Sequence, residues 1–115
     1  MSRLTGSAVL RYDFCAVTDR GRVRANNEDS VAFHASAGLA LLADGMGGYN
    51  AGEVAAAMAT SLVRNELALW LAQQDASAAP SGVRRALAAC IDGANRAILD
   101  ASLSNPAYTG MGTTL

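Results

Sequence analysis

The chain has 115 residues, enough for one small domain to bury roughly two thirds of the surface that its unfolded form exposes. Apolar residues make up 51%, and nine Lys and Arg against ten Asp and Glu leave a net charge of −1, so the composition excludes a disordered polar tail and argues against nucleic acid as a partner. No apolar run reaches the roughly 18 residues that cross a bilayer and no leader-like segment opens the chain, which makes a cytoplasmic protein with no membrane partner the default expectation.

Met1 to Ser7 carry no periodicity, and residues 1–11 are expected to fray. Tyr12-Asp13-Phe14-Cys15-Ala16-Val17-Thr18 is rich in aromatic and β-branched residues and stops at Asp19-Arg20-Gly21, as a strand entering a turn would. From Val31 to Ser36, Val31, Phe33 and Ala35 alternate with Ala32, His34 and Ser36, predicting a strand with unequal faces. Gly38 to Ala43 is nearly continuous in apolar residues, predicting a strand covered on both sides with Asp44 as its last residue.

Asn50 stands three residues ahead of Glu53, the spacing of a capping box, so a helix is expected to begin near Ala51 and to fade near Gln73-Gln74. Val54, Met58, Leu62 and Leu69 form its apolar stripe, and Ala55, Ala56 and Ala59 leave room for a close neighbour. The Ala- and Ser-rich stretch from Asp75 to Ser81 reads as a connector. In a second helix Val83, Leu87, Cys90, Ile91, Ala94 and Ile98 share one face, with Asp92, Arg96 and Asp100 on another, and the two helices are expected to pair as an antiparallel hairpin. Leu103-Ser104-Asn105-Pro106 ends the helix, and Gly112-Thr113-Thr114-Leu115 looks like a strand just starting. Composition and pattern lead to a mixed α and β fold and no further.

Two features carry chemistry. Asp44-Gly45-Met46-Gly47-Gly48 places a carboxylate at the end of a buried strand beside glycines whose backbone is unobstructed, and a carboxylate with the Gly45 carbonyl offers the oxygen donors that hard divalent cations take. Arg20, Arg22 and Arg24 alternate along an extended segment followed by Glu28 and Asp29, and the planar fork of arginine matches phosphate oxygens. Each feature alone reads equally as turn chemistry. The two cysteines, Cys15 and Cys90, lie far apart without metal-ligand spacing and are expected to be buried thiols, and the lone His34 is expected to be structural or at the surface.

Taken together, Val23-Arg24-Ala25-Asn26-Asn27-Glu28-Asp29-Ser30, then Leu41-Leu42-Ala43-Asp44-Gly45-Met46-Gly47-Gly48 with Gly52-Glu53, and then Gly112-Thr113-Thr114 closely resemble the opening motifs of the protein phosphatase 2C (PPM) family, in its bacterial form. The resemblance implies an α+β fold, a four-layer αββα sandwich, of which residues 1–115 would be about the N-terminal half of a single domain. It implies a protein serine/threonine phosphatase, in which hydroxide bridging two divalent metal ions, Mn²⁺ or Mg²⁺, attacks the phosphorus directly. Asp44 would bridge the metals, the Gly45 carbonyl would complete one of them, and Glu28 would join the site directly or through water. Asp29 would orient metal-bound water from behind, and Arg24 would hold the substrate phosphate. Thr113 and Thr114 match a segment at the centre of the family's sheets, where packing is expected of them.

The same resemblance implies phosphorylated Ser/Thr proteins as partners, a cognate Ser/Thr kinase or its substrates among them. Met46 stands where some relatives carry a histidine acid, and a thioether donates no proton, so the leaving group would take its proton from water or from elsewhere. No Cys-x5-Arg loop of a cysteine phosphatase occurs. Later aspartates of the family's metal site would lie beyond Leu115, so this chain alone is expected to bind metal weakly, to be inactive and to self-associate through uncovered apolar strands. The competing readings are a non-catalytic sensor that binds phosphoproteins and a fragment whose role is association.

Overall fold

The computed structural model describes residues 10–48, 50–75 and 78–115. Strand β1 (Asp29–His34) and strand β2 (Leu39–Met46) are followed by helix α1 (Ala51–Ala72), helix α2 (Pro80–Ser104) and the short strand β3 (Gly112–Thr113). The sheet has the order β1-β2-β3 and is antiparallel throughout, with Asp29 opposite Asp44 and Gly45 opposite Thr113. Helix α1 packs on all three strands and on α2. The result is an α+β arrangement with one sheet and one helix pair.

The frayed segment expected over residues 1–11 falls mostly outside the described residues, and Leu10 and Arg11 are exposed without regular structure. Tyr12 to Thr18 forms no strand. Strand propensity expresses the fit of a side chain to a half-buried pleated surface, and here only Phe14 finds one, stacking on Phe33 with ring centroids 5.7 Å apart. Strand β1 starts two residues earlier than the alternation suggests and stops at His34, because Ala35–Ala37 turn as a single 3-10 helix. His34 has a structural role: its Nδ1 accepts the Ala37 N–H at 3.3 Å and lies 3.1 Å from Ser36 Oγ. Gly38, at φ 65°, then reverses the chain into β2.

Strand β2 continues past Asp44 to Met46, since β3 pairs with Gly45 and Met46. Its expected cover on both faces is absent among the described residues. Ala43 and Gly45 face α1 and are buried, whereas Leu42 and Met46 are 64% and 60% exposed on the other face.

Helix α1 begins at Ala51 as its pattern predicts, but the capping box does not form. Asn50 takes a left-handed conformation (φ 68°) and its side chain makes no cap hydrogen bond, unlike the extended backbone that a capping side chain requires. The buried face is the small one: Ala51, Ala55, Ala56, Ala59 and Thr60, continued by Val63 and Leu67. Val54, Met58 and Leu62 flank it half-buried, and Leu69 is 64% exposed. Small residues meet small residues, Ala43 and Gly45 on the sheet, and this lets the helix lie close to β2.

The closest approach occurs at one end. A Cβ on Gly45 would overlap the Gly52 carbonyl and come within 2.8 Å of the Glu28 carbonyl oxygen, and a Cβ on Gly52 would lie 2.8 Å from the Met46 nitrogen. Polar ties reinforce the packing. Thr60 is 2% exposed; its hydroxyl donates to the Ala56 carbonyl at 3.1 Å, so Ser30 Oγ, 2.7 Å away, is left to donate to it. Arg64 Nε donates to the Phe33 carbonyl at 2.8 Å.

Helix α2 runs antiparallel to α1. Cys90 and Ala94 close a core with Val63 and Leu67, while Ile98 and Ala101 pack near Ala51 and Ala55. Pro80, expected in the connector, instead opens the helix, where its missing N–H costs nothing. Asp92, Arg96 and Asp100 are exposed. Of the two thiols expected to be buried, only Cys90 is, and burial, with Glu66 adding to it, raises its pKa above the ordinary value. Cys15 is exposed, since the segment carrying it joins no sheet. Among the described residues no helix is long and apolar enough to cross a membrane.

Gly45→Ala is expected to lower stability by about 2–3 kcal/mol, because strand and helix must separate to admit the methyl group. At about 4–8 °C per kcal/mol for a chain of this size, thermal unfolding followed by circular dichroism should show a fall in Tm of about 8–24 °C. An unchanged Tm would mean that the strand and helix are not in contact there.

Candidate functional site

The end of β2, the start of β1 and the loop before it enclose one polar cleft of about 610 Å³. Asp44, Gly45, Glu28, Asp29 and Arg24 all line it, together with Asp19, Arg20, Asn26, Asn27 and Met46. The five residues singled out in the sequence thus converge on a single place. Asp44 belongs to the open face of the sheet with Leu42 and Met46, and the register sets Asp29 directly opposite it. Facing side chains of an antiparallel pair have Cβ atoms about 5 Å apart, and two like charges at that separation repel unless a cation lies between or beside them. Both residues are exposed, so water offsets part of the repulsion.

The backbone around the acids is tied on both sides. Gly45 N–H donates to the Glu28 carbonyl at 3.0 Å, which places the half-buried Glu28 beside β2 just before β1 begins. On the other edge, Thr114 N–H donates to the Asp44 carbonyl at 2.9 Å, and the Asp44 N–H donates to Thr114 Oγ1 at 3.0 Å. Gly47, at φ 151°, turns the chain from β2 toward α1 in a region that L side chains rarely adopt.

The arginine-bearing loop is braced by its own polar side chains. Asn27 Nδ2 donates to Thr18 Oγ1 at 2.8 Å, and Asn27 Oδ1 accepts the Asp29 N–H at 3.0 Å, so one side chain fastens both ends of the loop. Asp19 Oδ1 accepts the Gly21 N–H at 2.7 Å, and Arg20 donates to the Ala25 carbonyl at 3.3 Å. Arg20 is thereby committed to the loop. Arg24 is exposed on the cleft wall, where its fork of donors can meet an anion.

The donors present, carboxylates and a backbone carbonyl, are of the kind that Mg²⁺ and Mn²⁺ take, so the residues fit a hard divalent cation in type. They supply only part of a coordination shell. Among the described residues no group of three or more His, Cys, Asp and Glu is arranged to hold a metal ion.

Comparison with known proteins gives this geometry a context. No protein-family model matches the chain. Over 115 residues, all of this chain and 20% of the relative, it is 44% identical to the serine/threonine protein phosphatase PstP of Mycobacterium tuberculosis (strain ATCC 25618 / H37Rv). Over 105 residues it is 36% identical to the serine/threonine phosphatase stp of Listeria monocytogenes serotype 4b (strain F2365), covering 85% of this chain and 38% of that one. The crystal structure of the Mycobacterium tuberculosis phosphatase PstP/Ppp matches with a TM-score of 0.64 at 37% identity, over 84% of this chain and 37% of that chain. The chain is homologous to a portion of the bacterial PPM-type serine/threonine phosphatases. It spans between about a fifth and two fifths of the length of these relatives.

Within this homologous portion, the sequence pointed to the acids and Arg24 but not to the groups that hold them. Asn27 read as ordinary turn chemistry, although its position two residues before Asp29 suits a side chain that accepts the Asp29 amide. Gly52 stood in a recognisable motif without a role. Thr114 is exposed and hydrogen-bonded to Asp44 rather than packed, as had been expected of it.

Removing both Asn27 bonds should release the loop without unfolding the domain. At about 0.7 kcal/mol for each of these two exposed hydrogen bonds, about 1.4 kcal/mol together, Asn27→Ala is expected to raise the open population of the loop roughly tenfold. Limited trypsin digestion would then cut after Arg20, Arg22 or Arg24 about ten times faster at an unchanged thermal midpoint, and equal cleavage rates would show that Asn27 does not brace the loop.

Proposed function

We propose that this chain carries the Asp44-centred part of a metal-dependent protein serine/threonine phosphatase site, with phosphoserine and phosphothreonine proteins as substrates. The observation that carries this reading is the convergence of Asp44, Gly45, Glu28, Asp29 and Arg24 on one cleft in a chain homologous to such phosphatases. Asp44, the Gly45 carbonyl and Glu28 would hold Mn²⁺ or Mg²⁺, which when bound supplies an acidified water and offsets negative charge on the phosphoryl group. Asp29, which stands opposite Asp44, would accept a hydrogen bond from such a water and so orient it.

Arg24 binds the phosphate dianion through its fork of donors and brings the ester to the acids. Met46 lines the cleft but has no proton to donate, so the leaving alkoxide is protonated by solvent entering through the open side. The αββα sandwich would arise if a second sheet covered the open face of Leu42 and Met46.

A direct test replaces the matching portion of the Mycobacterium tuberculosis PstP catalytic domain with this chain and follows p-nitrophenyl phosphate and phosphopeptide turnover with added Mn²⁺. The chimera is expected to be active, with Asp44→Ala lowering kcat at least about a hundredfold and Arg24→Ala acting mainly by raising KM for phosphopeptide. A folded chimera without turnover, or an Asp44→Ala variant keeping more than about a tenth of the activity, would sink the reading.

For the isolated chain the reading implies no turnover and self-association through the uncovered sheet face, where Leu42, Met46 and Phe33 are exposed. Multi-angle light scattering is expected to give a mass above that of one chain, falling with Leu42→Lys. A monodisperse monomer that hydrolyses phosphopeptide would overturn this.

A further inference from the structure

Two opposed residues of a hydrogen-bonded antiparallel pair ordinarily exchange two backbone N–H to C=O bonds. Asp44 and Thr114, next in register after Gly45 and Thr113, exchange only one. The Thr114 N–H donates to the Asp44 carbonyl at 2.9 Å, but the Asp44 N–H goes to Thr114 Oγ1 at 3.0 Å. The Thr114 carbonyl accepts instead from Thr113 Oγ1 at 2.8 Å. A side-chain hydroxyl thus replaces a ladder carbonyl at the one residue of β2 that carries a carboxylate into the cleft. That hydroxyl also lies 3.4 Å from the Asp44 carbonyl, so it spans both polar groups of the same residue.

The β1 side cannot substitute for this hold. Backbone groups of successive strand residues point to opposite edges, and on the β1 edge it is the Gly45 amide that is taken, by the Glu28 carbonyl. Among the described residues, Thr114 Oγ1 is the acceptor for the Asp44 N–H. A ligand carboxylate must stay within about 0.5 Å of its place, and Asp44 is exposed, with no packing of its own to keep it there.

We propose that the Thr114 hydroxyl is a positioning group, fixing the Asp44 peptide so that its carboxylate stands opposite Asp29. The proposal rests on the reading of Asp44 as the metal-bearing carboxylate. Thr114→Val keeps the shape and the backbone bond while removing the acceptor, and Thr114→Ser keeps the acceptor.

In the full 115-residue chain, amide exchange measured by NMR tests the hold itself, and selective broadening of amide signals by titrated Mn²⁺ tests its consequence. Thr114→Val is expected to speed exchange at Asp44 about fivefold or more, leaving the β1 amides unchanged, and to weaken Mn²⁺ binding about tenfold, with Thr114→Ser close to the parent. Unchanged exchange at Asp44 in Thr114→Val overturns the proposal. So does unchanged Mn²⁺ binding in Thr114→Val when Asp44→Asn weakens it, and in that case the reading of Asp44 survives. If the parent shows no selective broadening near Asp44, or Asp44→Asn binds Mn²⁺ equally well, the metal reading falls and the proposal with it.

Discussion

The contact on which the rest of the structure depends is that of Gly45 against Gly52. Two backbones meet there with no side chain between them, and either Cβ would intrude on the other chain. This brings the first turn of α1 onto the last residues of β2 and sets the height of the helix above the sheet. Ala43, Ala55, Ala56 and Ala59 then complete an interface of small groups, with Met111 packed beside Ala51 and Ala55 and larger apolar residues again from Val63 onward. Packing of this kind leaves little freedom to slide, since interiors are dense and small residues have no rotamers with which to adapt.

That rigidity is what the cleft needs. Asp44 lies next to the contact, and Glu28 is joined to it through the Gly45 amide. Acids held on a stiff frame cannot relax away from one another, so Asp29 and Asp44 stay opposed across the two strands. The loop carrying Arg24 is built differently. It depends on hydrogen bonds of Asn27, Asp19 and Arg20 at exposed positions, where water competes and each bond is worth little. A stiff acidic side of the cleft thus faces a more yielding basic side.

The two faces of the sheet tell a second story. The inner face is finished by α1, whereas the outer face shows Leu42 and Met46 beside the acids. Apolar surface bordering a polar site excludes water from one side of it when covered, and raises the strength of every charge interaction within. The same face, uncovered, favours association.

Helix positions, the antiparallel hairpin and strands β1 and β2 were legible in the sequence because each rests on local periodicity, whereas the acids and Arg24 were singled out only through a family resemblance, since each motif alone reads as turn chemistry. The strand expected from Tyr12 to Thr18 was not legible correctly, since a strand exists only where another strand pairs with it, and propensity contains no partner. The capping box at Asn50 failed for a related reason: Asn50 takes a left-handed backbone conformation, whereas a capping side chain needs an extended one. The same holds for the stripe on α1, where the sheet selected the alanine face because only small residues meet Gly45 and Ala43 without a gap. By itself the sequence determined which residue types with cation- or phosphate-binding chemistry stand in the chain. Only the tertiary structure decided that Asp29 stands opposite Asp44 and that Thr114, seventy residues away, holds it, because those relations arise from strand register and no spacing along the chain encodes them.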